Sequence, residues 1–281
     1  MKKLAVLGHP IGHTLSPVMH NASIKALGLE ADYEYGKLDV PPEELMARLS
    51  QLPAEGYAGV NLTIPLKEVA FHGLECLDVS AKTLGAVNTV EFTEEGLIGH
   101  NTDGYGFLKA LEESFGKATE GDHVFVLGCG GAGRAVALMA AIDEVCSITL
   151  ADVDAARVAN LAAEIKRIAP EVELFQCLEK SEQIKACRAA DLVIQASPVG
   201  MKKEDPSLMP PEAFREGQRV FDLIYMYPET AFLSTAKAAG AQTANGLGML
   251  LHQGARAFEI WTGITPDVAA MREALEKAVY S

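Results

Sequence analysis

Six residues, Gly128-Cys129-Gly130-Gly131-Ala132-Gly133, constrain this chain more than any other stretch. An apolar run over 123–127 that reads as a buried strand precedes them, and 134–142 reads as a helix. A G-x-G-x-x-G joining strand to helix needs a tight turn, a backbone bare of side chains and close helix–strand packing, all features of an open α/β sheet. Loops also collect glycine for steric reasons alone. Here the next expected strand, 146–150, runs into Asp152, an acid at about the spacing that accompanies a dinucleotide-binding loop. In that arrangement the backbone N–H groups of Gly128, Gly130, Gly131, Ala132 and Gly133 face a pyrophosphate at a helix N-terminus. Dinucleotide binding is favoured over a purely structural turn.

Asp152 also bears on which dinucleotide. A carboxylate at the end of the second strand accepts hydrogen bonds from ribose hydroxyls and repels a 2′-phosphate, which favours NAD. Two readings stand beside this one. Asp152 or Asp154 can simply cap the following helix, and Arg157 can bind a phosphate, so NADP stays open.

The 281 residues leave room for two modest domains or one large α/β unit. Short apolar runs alternate with helical stretches: strands over 3–7, 33–38 and 59–63, a helix starting with Ser16 as N-cap and Pro17 as its first residue, and another over 41–52. This alternation implies a mostly parallel sheet. A second alternation starts near Asp122, with further strands over 191–195 and 219–223, and 249–261 reads as an amphipathic helix. A hinge is expected near 103–106, with the chain returning to the first domain near Gly246.

With 24 Lys and Arg against 38 Asp and Glu, the net charge is −14, which argues against nucleic acid as a partner. The most apolar region, 124–142, carries Arg134 and many glycines, so no membrane span is expected. His9, Pro10 and Gly12 end the N-terminal apolar run short of a signal core, and a cytoplasmic location is expected. The five cysteines show no C-x-x-C pair, so reduced thiols are expected and no metal site.

Several polar motifs each have an ordinary explanation. Lys67 follows a strand, where ligands of α/β domains bind, yet reads equally as a solvated helix-start lysine. Asn101-Thr102-Asp103-Gly104 has turn composition, and Thr14-Leu15-Ser16-Pro17 that of a helix cap. Their order is more specific. Gly8-His9-Pro10-Ile11-Gly12-His13-Thr14-Leu15-Ser16-Pro17, Asn61-Leu62-Thr63-Ile64-Pro65-Leu66-Lys67, Gly85-Ala86-Val87-Asn88-Thr89, Asn101-Thr102-Asp103-Gly104 and Asn245-Gly246-Leu247-Gly248-Met249-Leu250 occur in register. Together they resemble the shikimate dehydrogenase family, which includes the quinate/shikimate dehydrogenases, from Gly8 to about Asp267.

The resemblance implies an α/β enzyme of two domains. The mostly parallel substrate domain would span 1–103, completed by helices in 246–281, and the Rossmann-type domain 104–245. It implies reversible reduction of 3-dehydroshikimate to shikimate with a nicotinamide dinucleotide. Lys67 and Asp103 match the catalytic pair. Thr14 and Ser16, assisted by Tyr225, match the residues that bind the substrate carboxylate. Asn61, Thr63, Asn88 and Gln253 match those that bind its hydroxyls. Met201 falls in a loop beside the nicotinamide ring, and Gly246 among the residues that bind the cofactor. Three departures stand out. Thr14 replaces the commoner serine, Ala151-Asp152-Val153 replaces the Asn-Arg-Thr of NADP-type members, and Gln195-Ala196-Ser197 replaces Asn-Ala-Thr. The aspartate again favours NAD. Rival readings are a quinate-preferring, NAD-dependent member, a non-catalytic ligand sensor, and a methyltransferase, for which the Lys67/Asp103 motifs have no evident use. His9, His13 and His20 are assigned loop and cap roles, His252 a position facing away from the pocket, and Trp261 a place in the core.

Overall fold

The structure is a computed structural model that describes residues 1–12 and 14–281; His13 lies outside the described residues. The chain divides into two compact units. One comprises Met1–Gly106, Leu250–Val279 and Ser281, the other Phe107–Met249 and Tyr280.

The first unit runs β1 (Lys2–Gly8), α1 (Ser16–Ala26), β2 (Tyr33–Asp39), α2 (Leu45–Gln51), β3 (Tyr57–Leu62), α3 (Leu66–Gly73), β4 (Cys76–Leu77), α4 (Val79–Leu84), β5 (Thr89–Thr93) and β6 (Gly96–His100). Its six-stranded sheet has the order β2-β1-β3-β5-β6-β4. Strand β1 shows why its sequence is continuously apolar. Leu4 and Val6 pack on one face with Ile24, Tyr35, Phe258 and Trp261, while Ala5 and Leu7 pack on the other with Leu45, Leu49 and Val60. A strand covered on both sides has no polar face to show. The sheet is less uniform than the alternation predicts: β3–β5 and β5–β6 are antiparallel. The cause is a hairpin at Glu94-Glu95, with Gly96 at φ +135°, a conformation few other residues tolerate.

Helix α5 (Asp103–Phe115) leads onward into β7 (His123–Leu127), α6 (Gly131–Ile142), β8 (Ser147–Ala151), α7 (Ala155–Ile168), β9 (Glu173–Gln176), α8 (Lys180–Ala189), β10 (Leu192–Gln195), β11 (Arg219–Asp222), α9 (Ala231–Ala238) and β12 (Gln242–Asn245). This second sheet, ordered β12-β11-β10-β7-β8-β9, is parallel throughout. Helices α10 (Leu247–Thr262) and α11 (Val268–Tyr280) follow. Trp261 joins the core of the first unit, donating its indole N–H to the Val90 carbonyl at 3.0 Å. Gly59 makes room for that ring, because a Cβ there would stand 2.1 Å from it.

Two helix starts differ from expectation. Ser16 is the first residue of α1 rather than its cap: Leu15 holds the cap position, and the Thr14 hydroxyl accepts the Ser16 N–H at 3.3 Å. Helix α6 begins at Gly131, three residues before the expected start, so the last glycines of the loop belong to its first turn. Among the described residues no helix is long and apolar enough to cross a membrane.

Candidate active site

The C-terminal end of β3, the start of α3, the segment before β5 and the start of α5 bring four motifs together. Asp103 opens α5. The Asn101 side-chain carbonyl accepts its N–H at 2.9 Å, so the Asn-Thr-Asp turn presents the carboxylate rather than burying it. Lys67, second residue of α3, donates from Nζ to Asp103 Oδ2 at 2.6 Å. Both side chains stay partly open to solvent, at 29% and 16% exposure, so the pair can meet a ligand.

Behind it lies a set of buried amides and hydroxyls. Asn88 Nδ2 donates to Asp103 Oδ1 and to Thr102 Oγ1, each at 2.9 Å, with Gln253 Oε1 at 3.4 Å. Asn88 Oδ1 accepts from the Thr102 N–H at 2.8 Å and the Thr89 hydroxyl at 2.9 Å. Asn61 Nδ2 donates to the Asn88 carbonyl at 3.2 Å and to Thr89 Oγ1 at 3.0 Å, and Asn61 Oδ1 accepts the Tyr35 hydroxyl at 2.7 Å. Both amide protons of Asn61 are therefore used inside the protein. Thr63, half-buried, follows β3 directly, its N–H donating to the Leu7 carbonyl at 2.9 Å.

Thr14 and Ser16 meet before and at the start of α1, the Thr14 hydroxyl donating to Ser16 Oγ at 3.3 Å. Burial drives the Tyr35 phenol well above its usual range, with a hydrogen bond from Ser16 opposing. Tyr35 also stacks on His20 at 4.1 Å between ring centres. Burial brings the His20 imidazole down to about 3, partly offset by Asn61, so His20 is a neutral core residue. His9, by contrast, is exposed and lies 2.7 Å from Asp39. His252 is buried.

In the second unit the four loop glycines divide into two kinds. Gly128 holds φ +104°, and a Cβ on Gly133 would stand 1.9 Å from the Gly128 carbonyl oxygen, so the protein itself requires both. Gly130 has an ordinary φ of −72°, and a Cβ at Gly130 or Gly131 would meet nothing within 4 Å. Among the described residues nothing requires those two. Their bare backbone at the N-terminus of α6 leaves space for an anionic group such as a pyrophosphate, so the loop fits a dinucleotide. Asp152 Oδ2 accepts the Cys129 N–H at 2.6 Å, and its Oδ1 accepts the Asp154 N–H at 2.9 Å. Asp154, not Asp152, caps α7, accepting from Ala156 and Arg157 N–H groups. Arg157 is exposed, its Nε 3.5 Å from Asp154. Burial, then the Asp152 charge, push the Cys129 thiol up to about 12.

Met201 is half-exposed beside Gly200. Gln195 holds that loop from within, accepting the Ser197 N–H at 2.6 Å and donating to the Val199 carbonyl at 2.8 Å. Gly246 has a packing reason of its own, since a Cβ would stand 2.1 Å from the Leu223 carbonyl oxygen. Tyr225 lies in a segment tied down by Asp222, which accepts the Ile224 N–H at 3.0 Å and the Thr230 hydroxyl at 2.6 Å. Burial raises the Asp222 carboxyl to about 6. The sequence marks Tyr35 only as part of an expected strand, and Thr89, Asn101 and Thr102 only as members of motifs, with no role of their own. An Asn-Thr pair beside each of two candidate polar residues was the available signal.

Comparison with known proteins decides the family. Residues 6–90 match a model described as the shikimate dehydrogenase substrate binding domain, and 246–276 one described as the shikimate 5'-dehydrogenase C-terminal domain. A shikimate dehydrogenase (NADP(+)) of Methanopyrus kandleri is 41% identical over 274 residues, spanning 97% of this chain and 94% of the relative. The chain belongs to the shikimate dehydrogenase family. Family structures superpose end to end. A shikimate 5-dehydrogenase of Thermus thermophilus, in complex with NADP(H) and shikimate, has a TM-score of 0.85 at 40% identity, covering 99% of this chain and all of that one. Another, from Listeria monocytogenes in complex with shikimate and NAD, reaches 0.90 at 33% identity, covering 98% and 96%. Family members are thus seen with either dinucleotide.

Proposed function

We propose that the chain interconverts 3-dehydroshikimate and shikimate with a nicotinamide dinucleotide, and that it prefers NAD. The observation that carries the reading is the 2.6 Å contact between Lys67 Nζ and Asp103 Oδ2 in a partly open position. A bound dinucleotide supplies or takes the hydride. Lys67 donates the proton that the reduced ketone oxygen needs, while Asp103 holds the ammonium in place; in oxidation the same pair takes the proton back. Thr14 and Ser16 bind the substrate carboxylate by hydroxyl donation, with Tyr225 assisting. Asn61, Thr63, Asn88 and Gln253 read the ring hydroxyls; because both Asn61 amide protons are used inside the protein, Asn61 does so as an acceptor.

On this reading residues 1–103 and 246–281 hold the substrate, and 104–245 the dinucleotide. Gly128, Gly130, Gly131, Ala132 and Gly133 hold the pyrophosphate, and Met201 and Gly246 adjoin the nicotinamide. The NAD preference rests on Asp152, a carboxylate at the tip of β8 bonded to the loop itself, while Arg157 leans toward Asp154.

Initial rates with shikimate and quinate, each crossed with NAD and NADP, test all of this. Fast turnover of shikimate with NAD is the expected result. A strong NADP preference would keep the reaction and transfer phosphate recognition to Arg157. Faster quinate turnover would select the rival substrate. No turnover with any pair would sink the dehydrogenase reading in favour of a ligand sensor.

A further inference from the structure

The hydrogen bonds behind Asp103 have a consistent direction. Tyr35 O–H donates to Asn61 Oδ1, Asn61 N–H to Thr89 Oγ1, Thr89 O–H to Asn88 Oδ1, and Asn88 N–H to Asp103 Oδ1, at 2.7, 3.0, 2.9 and 2.9 Å. Lys67 closes the series on the other carboxylate oxygen. Tyr35 and Thr89 are 4% and 0% exposed, so neither can touch a substrate. We infer that Tyr35 and Thr89 are positioning residues, whose hydroxyls set the orientation of the Asn61 and Asn88 amides and thereby hold Asp103 and Lys67 in register for proton transfer.

The chemistry of the groups makes the direction matter. An amide can be turned end for end at little steric cost, and only its partners decide which end is oxygen. Turned over, Asn88 would point its oxygen at the Asp103 carboxylate, a repulsive contact. Three donors converge on Asn88 Oδ1 to prevent this, the Thr102 N–H at 2.8 Å, the Thr89 hydroxyl at 2.9 Å and, more weakly, the Thr102 hydroxyl at 3.2 Å. The Thr89 hydroxyl can donate there because Asn61 donates to it, and Asn61 faces it with an N–H because Tyr35 occupies Asn61 Oδ1. A hydroxyl that both accepts and donates cannot be replaced by a methyl without stranding one proton and one lone pair. The series runs from the buried Tyr35 hydroxyl to the pair proposed to move a proton.

The inference rests on the function proposed above, and its test separates the two. Thr89→Val keeps the shape and removes the hydroxyl, Thr89→Ser keeps the hydroxyl, and Tyr35→Phe removes the first donor. With shikimate and the preferred dinucleotide, Thr89→Val and Tyr35→Phe are expected to lower kcat about tenfold with KM within about twofold, and Thr89→Ser to stay within about twofold in both. A kcat unchanged in Thr89→Val, or a Thr89→Ser variant as impaired as Thr89→Val, overturns the inference. The second readout needs no turnover: solvent exchange of the Asn61 and Asn88 side-chain amide protons, followed by NMR. It should quicken about tenfold in Thr89→Val and stay at the native rate in Thr89→Ser. Equal protection in all three proteins overturns the inference, whereas a wild-type chain inactive on shikimate but with this exchange pattern overturns only the function.

Discussion

Lys67 and Asp103, 36 positions apart in sequence, meet because each sits in the first turn of its own helix. Neither residue announces that meeting. Lys67 alone reads as a surface lysine and Asp103 as a turn acid, and only the order of surrounding motifs singled them out. Lys67→Ala should lower kcat about a thousandfold, the middle of the range for a lost general acid. Dinucleotide affinity, followed by NAD(P)H fluorescence, should change less than about threefold; near-native turnover would remove Lys67 from the chemistry. The cysteines offer a second residue-level test. All five are free, Cys76 and Cys146 exposed, and burial pushes the Cys129 and Cys187 thiols up to about 12. Since the thiolate is the nucleophile, iodoacetamide at neutral pH should label Cys76 and Cys146 first by mass spectrometry. Early labelling of Cys129 would show that the glycine loop opens in solution.

Helix α6 and the loop before it form the element most legible in the sequence, yet its start was misplaced, because glycines normally placed outside helices form its first turn here. The distinction between its glycines was invisible, since it depends on which neighbours a Cβ would strike. Gly133→Ala should cost the fold several degrees in melting temperature or prevent folding, since the clash is with backbone. Gly131→Ala should leave melting nearly unchanged, or raise it by about 0.4–1 kcal/mol equivalent, while weakening dinucleotide binding at least about tenfold. If Gly131→Ala binds dinucleotide normally, the open backbone is not where the pyrophosphate lies. Strands β9 and β12 are sheet-edge strands with mostly polar, partly exposed residues, and β5–β6 is a hairpin within a pattern that otherwise alternated with helices. The apolar periodicity that marks buried strands is weak in β9 and β12, whereas β5 alternates but is only five residues long.

At the scale of the molecule two charge effects can be separated. A net charge of −14 repels an anionic acid and an anionic dinucleotide over distances that salt shortens to about 10 Å at 0.1 M. The apparent KM for shikimate should therefore fall modestly between 0.01 and 0.1 M salt; a rise would mean that local cations govern approach. The second effect is a single buried acid. Asp222 has a folded pKa of about 6, above its unfolded value, so its contribution favours the native state at low pH and is lost as pH rises through about 6. From pH 4 to 7 the wild type should lose up to about 3 kcal/mol relative to Asp222→Asn. Identical pH dependence in urea unfolding of the two proteins would show that Asp222 is not desolvated. The Trp261 indole seated over Gly59 has a consequence for synthesis. One face of the first sheet stays uncovered until α10 has left the ribosome, so the second unit, which apart from Tyr280 is the unbroken stretch Phe107–Met249, is expected to close first. Nascent chains halted between the two should resist protease over 107–249 while their first hundred residues are still cut.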